Sequence, residues 1–275
     1  MISYGLKDRT IAITGGASGI GRAAALMLAR DGSNVGIIDV NGGNIDKVLA
    51  EIREHGVKAS GFVADVRDAG QIRQAAERFE QELGAVDGLF ACAGISNTAP
   101  AETMEEAAFE DVIDINLKGA FLSCREFGRR MIERGRGSIV VISSVDGLGG
   151  HPGRISYVSS KHAVNGLAKN LALEWGRHGV RVNAIAPGFV DTPLLRASMP
   201  AKFITGVVED RMPLGRMAAP EEIASIALML LSDAATYVTG AVVPIDGGLT
   251  AGYFTARRGG DYSSKKLLEA GIYSE

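Results

Sequence analysis

A chain of 275 residues, 46% of them hydrophobic, is long enough to bury about three quarters of its unfolded surface in one domain. Its net charge of -3, with acidic and basic residues interspersed, argues against a nucleic-acid or membrane-surface partner. The first nine residues lack the apolar core of a signal peptide, and no apolar run is long enough to span a bilayer.

The cysteines and histidines predict a reducing compartment and no metal site. Cys92 and Cys124 lie in apolar stretches, where buried free thiols are expected. The histidines, at positions 55, 151, 162 and 178, show no metal-ligand spacing. We therefore predict a cytoplasmic protein without a catalytic metal.

The first predicted strand runs directly into a glycine-rich turn and a helix. Thr10 to Thr14 is short and apolar, and a helix is predicted over 22–30. The glycines between them allow a tight turn, and the positive end of the helix would face a pyrophosphate. A glycine turn can be merely structural, but this context favours a dinucleotide site. Its candidate cofactor-binding residues are Gly15, Ser18, Gly19, Ile20 and Gly21.

The second strand, predicted over 34–38, ends at an aspartate. Asp39 lies 18 residues after Gly21, close to the distance expected for an acid that binds the adenosine ribose. A carboxylate there accepts hydrogen bonds from the 2′-hydroxyl and repels a 2′-phosphate. No Arg or Lys follows Asp39 before Lys47. We therefore predict NAD rather than NADP as the cofactor.

Helices and strands continue to alternate through the first half of the chain. The predicted ranges are 44–55, 69–83 and about 104–130 for helices, and 59–64 and 86–91 for strands. This alternation predicts a parallel sheet with helices on both faces and ligands at the carboxyl ends of its strands. Asp39, Asp65, Gly94 and Ser144 lie at such ends, so we expect them to meet in one crevice.

A tyrosine and a lysine share one helix face after the next strand, 138–143. A helix is predicted from Tyr157 to about Trp175, and Lys161 lies four residues after Tyr157. An ammonium group about 4 Å from a phenol is expected to lower the phenol pKa from about 10 by roughly two to three pH units. Tyr157 would then exchange a proton near pH 7. Ser144 is placed to donate a hydrogen bond to the same substrate oxygen.

The last part of the chain adds further elements. The predicted ranges are 180–185 and 241–245 for strands and 221–232 for a helix. Thr192-Pro193 is typical of a helix start, with Thr as N-cap and Pro as first helical residue.

Taken together, the motifs resemble the classical branch of the short-chain dehydrogenase/reductase family. They are Thr14-Gly-x-x-x-Gly-x-Gly21, Asp65-Val66, Ala93-Gly94, Asn116, Ser144, Tyr157-x-x-x-Lys161, and Pro187-Gly188 followed by Thr192. The resemblance covers about residues 5–249. It implies one doubly wound α/β domain (a Rossmann fold) over 1–249, metal-free hydride transfer, and a homotetramer built on the long helices after Met104 and Ile155.

The resemblance also implies a role for each matching residue. Tyr157 would be the general acid/base, Lys161 would lower its pKa and bind the nicotinamide ribose, and Ser144 would orient the substrate oxygen. Asn116 would hold a water that passes protons by way of Lys161. The other implied cofactor contacts are Asp65 and Val66 at the adenine, Gly94 beside the cofactor, and Pro187, Gly188, Val190 and Thr192 at the nicotinamide end.

The chain departs from the family after its fourth strand. Relatives usually have Asn-Asn-Ala-Gly there, whereas this chain has Ala91-Cys92-Ala93-Gly94. The asparagines usually tie the sheet together beside the cofactor, so this support is in doubt.

Three regions bear on the substrate side. Asp146, His151 and Arg154 are candidates for substrate contact, with solvent-facing loop residues as the alternative. In the family pattern, 192–216 is a mobile substrate lid, although a plain amphipathic surface helix explains its apolar content equally well. For the extension 250–275, which carries four aromatic residues, we expect packing on a neighbouring subunit rather than a disordered tail.

We therefore predict an NAD-dependent oxidoreductase that transfers a hydride between nicotinamide and a small secondary alcohol or ketone. A 3-oxoacyl thioester reductase, which usually prefers NADP, and a cyclic diol dehydrogenase are alternatives within the enzymes. A dinucleotide-sensing binding protein without turnover is the alternative from another class. Neither nucleic acid nor a membrane is an expected partner.

Overall fold

A computed structural model of the chain describes residues 4–252 and residue 269. Within these residues seven parallel strands form one sheet. They are β1 (Thr10–Thr14), β2 (Asn34–Asp39), β3 (Ala59–Val63), β4 (Gly88–Ala91), β5 (Gly137–Ile142), β6 (Val180–Pro187) and β7 (Val242–Ile245). The strand order is β3-β2-β1-β4-β5-β6-β7. The order in which strands are added to the sheet therefore reverses between β1 and β4, and doubly wound sheets bind ligands at this point.

Helices cover both faces of the sheet. They are α1 (Gly19–Arg30), α2 (Gly42–Arg53), α3 (Ala69–Leu83), α4 (Glu106–Ile113), α5 (Gly119–Arg134), α6 (Ile155–Trp175), α7 (Pro193–Ser198), α8 (Ala201–Arg211) and α9 (Pro220–Leu231). The apolar core on one face contains residues of α1, α2 and α9, and the core on the other contains residues of α3, α5 and α6. The predicted doubly wound α/β fold is confirmed.

Glycine in a strand permits one of the closest contacts of the core. A Cβ at Gly36 of β2 would lie 2.5 Å from the ring of Phe79, a fully buried side chain of α3. The aromatic ring therefore packs directly on the strand backbone, which fixes the spacing between α3 and the sheet.

The predicted ranges of β1 and α3 agree with the structure residue for residue. The long helical region predicted over about 104–130 is present, but it is not one regular α-helix. A π-helical segment, Asp114–Lys118, separates α4 from α5, and the helical region begins at Glu106 and ends at Arg134. None of the described helices is long and apolar enough to cross a membrane.

Candidate active site

A cavity of about 460 Å³ lies at the carboxyl ends of the strands. Most of the residues singled out in the sequence line it. They are Gly15, Ser18, Gly19, Ile20, Gly21, Asp39, Asp65, Val66, Gly94, Ser144, Arg154, Tyr157, Lys161, Pro187, Gly188, Val190 and Thr192. Asn116, Asp146 and His151 lie outside this lining. Strand-end positions far apart in the sequence thus meet in one crevice.

The turn after β1 can be formed only by glycines at its critical positions. Gly15 and Gly19 have φ of +68° and +50°, and a Cβ at Gly21 would lie 2.1 Å from the Gly15 carbonyl oxygen. α1 begins at Gly19, and Ser18 makes no side-chain capping bond to it. The Gly21 amide bonds the Cys92 thiol, whereas the amides of Gly19 and Ile20 remain available to an anion, so the turn fits the pyrophosphate of a dinucleotide.

At the end of β2, Asp39 is held against the glycine turn. Its Oδ2 accepts a hydrogen bond from the Ala17 N–H at 3.1 Å, and its Oδ1 accepts one from the Asn41 N–H at 3.1 Å. A carboxylate has further lone pairs, so these bonds fix its position and leave acceptors for a ligand.

Arg67 is the cation at this end of the cavity, and sequence reasoning missed it. Its guanidinium donates to both oxygens of Asp65, at 2.7 and 2.9 Å for Oδ2, and to Asp111 at 3.0 Å. The hydrogen bond from Arg67 is also the main cause of the lowered pKa of Asp65. Two carboxylates thus already engage this arginine.

Beyond β4, a threonine hydroxyl ties the first strand to the segment that lacks the usual asparagines. The Oγ1 of Thr14 accepts hydrogen bonds from the N–H groups of Cys92 and Ala93, at 3.2 and 3.3 Å. Both thiols are free, but Cys92 is only partly buried and lines the cavity, unlike Cys124. Burial raises the pKa of both thiols to about 12, so they are neutral near pH 7.

The phenol and the ammonium group lie on α6 as the sequence predicts, but the predicted pKa effect is wrong. The Lys161 ammonium donates to the Ile142 carbonyl at 2.9 Å, and its nitrogen lies 5.5 Å from the Tyr157 ring centroid. Burial, and then the charge of Asp146, raise the pKa of Tyr157 to about 12, although a hydrogen bond with Ser144 and the charge of Arg154 lower it. Burial also lowers the pKa of Lys161 to about 8.

Ser144 follows β5 and is buried beside these groups. Its hydroxyl oxygen accepts a hydrogen bond from the Asp146 N–H at 3.1 Å. Because this bond uses a lone pair, the hydroxyl proton is free to be donated toward the phenol or toward a substrate oxygen.

Asn116 lies buried in the π-helical segment and fixes the loop after β4. Its Oδ1 accepts from the Ile95 N–H at 2.8 Å, and its Nδ2 donates to the Ile95 carbonyl at 3.0 Å and to Ser160 Oγ at 3.1 Å. A Cβ at Gly94 would lie 3.1 Å from this Oδ1, so the loop and the amide fit closely. The proton relay through Asn116 stays a prediction.

The three candidate substrate residues have different surroundings. Asp146 pairs with His151, whose Nδ1 lies 3.1 Å from the carboxylate, and the His151 ring stacks on Phe203 of α8 at 6.3 Å between centroids. Asp146 therefore lies outside the cavity lining and acts on it through its charge and its N–H bond to Ser144, whereas Arg154 lines the cavity.

The segment after β6 closes the cavity from the other side. Thr192 caps α7 by accepting from the Leu195 N–H at 3.3 Å, with Pro193 as the first helical residue, so the predicted helix start is confirmed. A Cβ at Gly19 would lie 3.4 Å from the Thr192 methyl group. The glycine turn and the α7 start thus meet across the cavity.

The strand order and the cavity at its switch point define a Rossmann-fold protein. A family model described as enoyl-(acyl carrier protein) reductase matches residues 15–250. The chain is 40% identical to the 3-oxoacyl-(acyl-carrier-protein) reductase FabG of Thermotoga maritima, over 89% of this chain and 98% of that protein. It is also 40% identical to the cis-4-hydroxycyclohexanecarboxylate dehydrogenase of Sinomonas cyclohexanicum, over 89% and 97%. The crystal structure of levodione reductase superposes with a TM-score of 0.86 at 37% identity, covering 90% of this chain and 99% of that one.

The chain belongs to the short-chain dehydrogenase/reductase family, in its classical branch. Members of this family are oxidoreductases that use nicotinamide cofactors.

Proposed function

We propose that the chain is an NAD-dependent oxidoreductase that transfers a hydride between nicotinamide and a small secondary alcohol or ketone. The observation that carries the proposal is the meeting of Ser144, Tyr157 and Lys161 in one cavity. A carboxylate, Asp39, lies in the same cavity at the glycine turn.

In the oxidation direction, the chemistry of the protein is the removal of a hydroxyl proton. The phenolate of Tyr157 accepts this proton, and the hydroxyl of Ser144 holds the substrate oxygen by a hydrogen bond. Bound NAD supplies the acceptor for the hydride that leaves the substrate carbon. Because burial raises the pKa of Tyr157 to about 12, only a very small fraction of the phenol is ionised near pH 7. Lys161 is mostly protonated there, so it places a positive charge in the same cavity.

The cofactor contacts follow from the lining of the cavity. The glycine turn would bind the pyrophosphate, Asp39 the adenosine ribose, and Asp65 with Val66 the adenine. Gly94 would lie beside the cofactor, and Lys161 would also bind the nicotinamide ribose. The nicotinamide end would be bound by Pro187, Gly188, Val190 and Thr192. The preference for NAD rests on Asp39 and on the engagement of Arg67 by carboxylates.

The similarity to a 3-oxoacyl-(acyl-carrier-protein) reductase favours reduction of 3-oxoacyl thioesters as the second candidate. Asp39 argues against it because such reductases usually prefer NADP. A dehydrogenase of cyclic diols remains the other alternative within the enzymes. A sensor without turnover is disfavoured because Asn116, Ser144, Tyr157 and Lys161 are all present.

A fluorescence screen for NADH tests the function directly. The wild-type chain is incubated with NAD and a library of secondary alcohols, cyclic diols and sugars, and in parallel with NADPH and an acetoacetyl thioester. We expect NADH from at least one alcohol, and we expect the thioester to react no faster than that alcohol. In Tyr157→Phe, turnover should fall at least about 1,000-fold while NADH binding is unchanged. Substantial residual activity in Tyr157→Phe contradicts the proposed role of the phenol.

The proposal also covers the assembly of the protein, its cellular location and the segments around the cavity. Large apolar side chains on α5 and α6 are exposed, among them Phe121 and Leu173, which supports a homotetramer built on these helices. Light scattering should then give four times the mass of the chain, and cell fractionation should find it in the cytoplasm.

The lid proposed over 192–216 contains α7 and α8.

The extension 250–275, apart from positions 250–252 and 269, lies outside the described residues. We propose that it packs on a neighbouring subunit. Deleting 255–275 should change the oligomer size or the Michaelis constant, and a variant unchanged in both would reject this role.

A further inference from the structure

We propose that Arg154 is an anion-binding residue and that the substrate is a short hydroxy acid or oxo acid. The inference rests on the proposed function, because it places the carboxylate relative to the carbon that exchanges the hydride. Arg154 is 4% exposed, and its guanidinium carbon lies 5.8 Å from the centroid of the Tyr157 ring. A positive charge thus borders the cavity beside the group that would exchange the proton.

The partners of Arg154 in the described chain are neutral. Its Nη1 donates to Ser96 Oγ at 2.7 Å, and its Nη2 donates to Ser198 Oγ at 3.1 Å and to the Ser198 carbonyl at 3.3 Å. Three of its five N–H groups are used in this way. A buried cation without a counter-ion is costly, and an anionic ligand would relieve that cost.

Arg181, which is only partly buried, shows how a structural role differs. Arg181 also has neutral partners, but these are three backbone carbonyls, of Leu230, Ser232 and Val238, at the end of α9 and just beyond it. Carbonyl groups at a helix C-terminus favour a cation through their partial negative charge. The partners of Arg154 include two serine hydroxyls, which carry no net charge and can reorient, and Arg154 also borders the cavity.

The position of Arg154 limits the size of the acid. Arg154 precedes Tyr157 by three residues at the start of α6, so guanidinium and phenol belong to the same turn of helix. If the guanidinium binds the carboxylate of a substrate, the reactive carbon of that substrate lies only a few bonds from the carboxylate. The positive end of the α6 dipole adds to the attraction.

Matched pairs of substrates test the inference. Initial rates are measured with NAD for 3-hydroxybutanoate against 3-hydroxybutanamide, and for 4-hydroxypentanoate against 4-hydroxypentanamide. We expect kcat/KM to favour the acid at least about tenfold in the wild-type chain. In Arg154→Gln the loss on the acid should exceed the loss on the amide by on the order of 100-fold, mostly in KM, since hydrogen bonds to charged groups are the strong ones.

Control variants separate charge recognition from folding. Arg73→Gln removes the same charge from an exposed position on α3 and should keep the wild-type ratio. Arg154→Lys keeps the charge and should retain part of the preference for the acid. Inhibition of neutral-alcohol turnover by butanoate should be at least about tenfold stronger than inhibition by butanamide, and Arg154→Gln should remove this difference.

The outcomes distinguish this inference from the proposed function. Equal rates for acid and amide, or equal losses on both in Arg154→Gln, would overturn the anion site while the oxidoreductase stands. Turnover of none of the alcohols, neutral or acidic, would defeat the proposed function and the inference with it.

Discussion

The two ends of the cavity carry side chains of opposite charge, and these side chains have different kinds of hydrogen-bond partners. At the end of β2 and β3, Asp39 is bonded by backbone N–H groups and Asp65 by Arg67. At the α6 end, the cations Lys161 and Arg154 are buried, and their hydrogen-bond partners in the described chain are neutral oxygens. The carboxylates at the acidic end are therefore stabilised by their partners, whereas the buried cations at the basic end lower the stability of the fold, which the proposed chemistry would explain.

Among the variants that compare the two ends of the cavity, replacing Lys161 by Met should have the largest effect. We expect kcat/KM for alcohol oxidation to fall about 100-fold or more, because the positive charge beside Tyr157 is lost. Stability at pH 7 should rise by up to about 3 kcal/mol, since burial lowers the Lys161 pKa from 10.5 to about 8 and the variant no longer buries a charge. Denaturant unfolding together with steady-state kinetics measures both effects.

The pH dependence of this stability gain identifies its cause. Between pH 8 and 10.5 the unfolded wild-type chain binds more protons at Lys161 than the folded chain, so wild-type stability rises with pH in that window. The advantage of Lys161→Met should therefore be complete below pH 8 and vanish above pH 10.5. Lys169→Met, at an exposed position of the same helix, is the control. A gain equal at pH 7 and pH 10.5 contradicts this explanation.

Replacing Asp39 tests whether the acidic end of the cavity selects the cofactor. In Asp39→Ala combined with Val40→Arg, the ratio of kcat/KM with NAD to that with NADP should fall about 100-fold, because the repulsion of a 2′-phosphate is replaced by attraction. Val40 is exposed at the rim of the cavity, so a longer side chain fits there. Asp46→Ala, which removes an exposed carboxylate from α2, should leave the ratio unchanged. An unaltered ratio in the double variant would argue that Asp39 does not select the cofactor.

The Thr14 hydroxyl stabilises the segment after β4, which lies between the two ends of the cavity. Thr14→Val leaves the Ala93 N–H without this acceptor, and we expect a loss of about 1–2 kcal/mol in the free energy of unfolding. Thr14→Ser keeps the hydroxyl and should lose clearly less. Equal stability of the valine variant and the wild type would show that the tie is dispensable.

The smallest expected effect belongs to Asp146, whose charge raises the Tyr157 pKa. In Asp146→Asn the rise of kcat/KM for alcohol oxidation with pH should move to lower pH, giving a rate gain of about a few-fold at pH 8. His151→Gln, which leaves the carboxylate without its imidazole partner, should shift the profile to higher pH or not at all. A profile of Asp146→Asn displaced to higher pH contradicts this assignment.

The acidic end could be predicted from the sequence because its signals are local. The glycine turn, Asp39 and Asp65 each follow a strand within a few residues, and strand order brings them together. Arg67 was missed although it lies two residues from Asp65, since its ion pairs depend on side-chain conformation.

The basic end depends on tertiary structure. Tyr157 and Lys161 were found by their spacing, but the direction of the Tyr157 pKa shift is decided by burial and by Asp146. Ser96 and Ser198, the partners of Arg154, lie 58 and 44 residues from it in the chain, so no local pattern could have indicated them.

The π-helical segment Asp114–Lys118 has a consequence for comparing this chain with others. The wider turn accommodates one residue more than a regular α-helical turn, in which each residue advances the helix by about 100°. An alignment that assumes uniform winding from Glu106 to Arg134 would assign the wrong side chains to the inward face on one side of the segment. Deleting a single residue here would restore regular α-helical winding and remove the wide turn from which Asn116 bonds the backbone of Ile95.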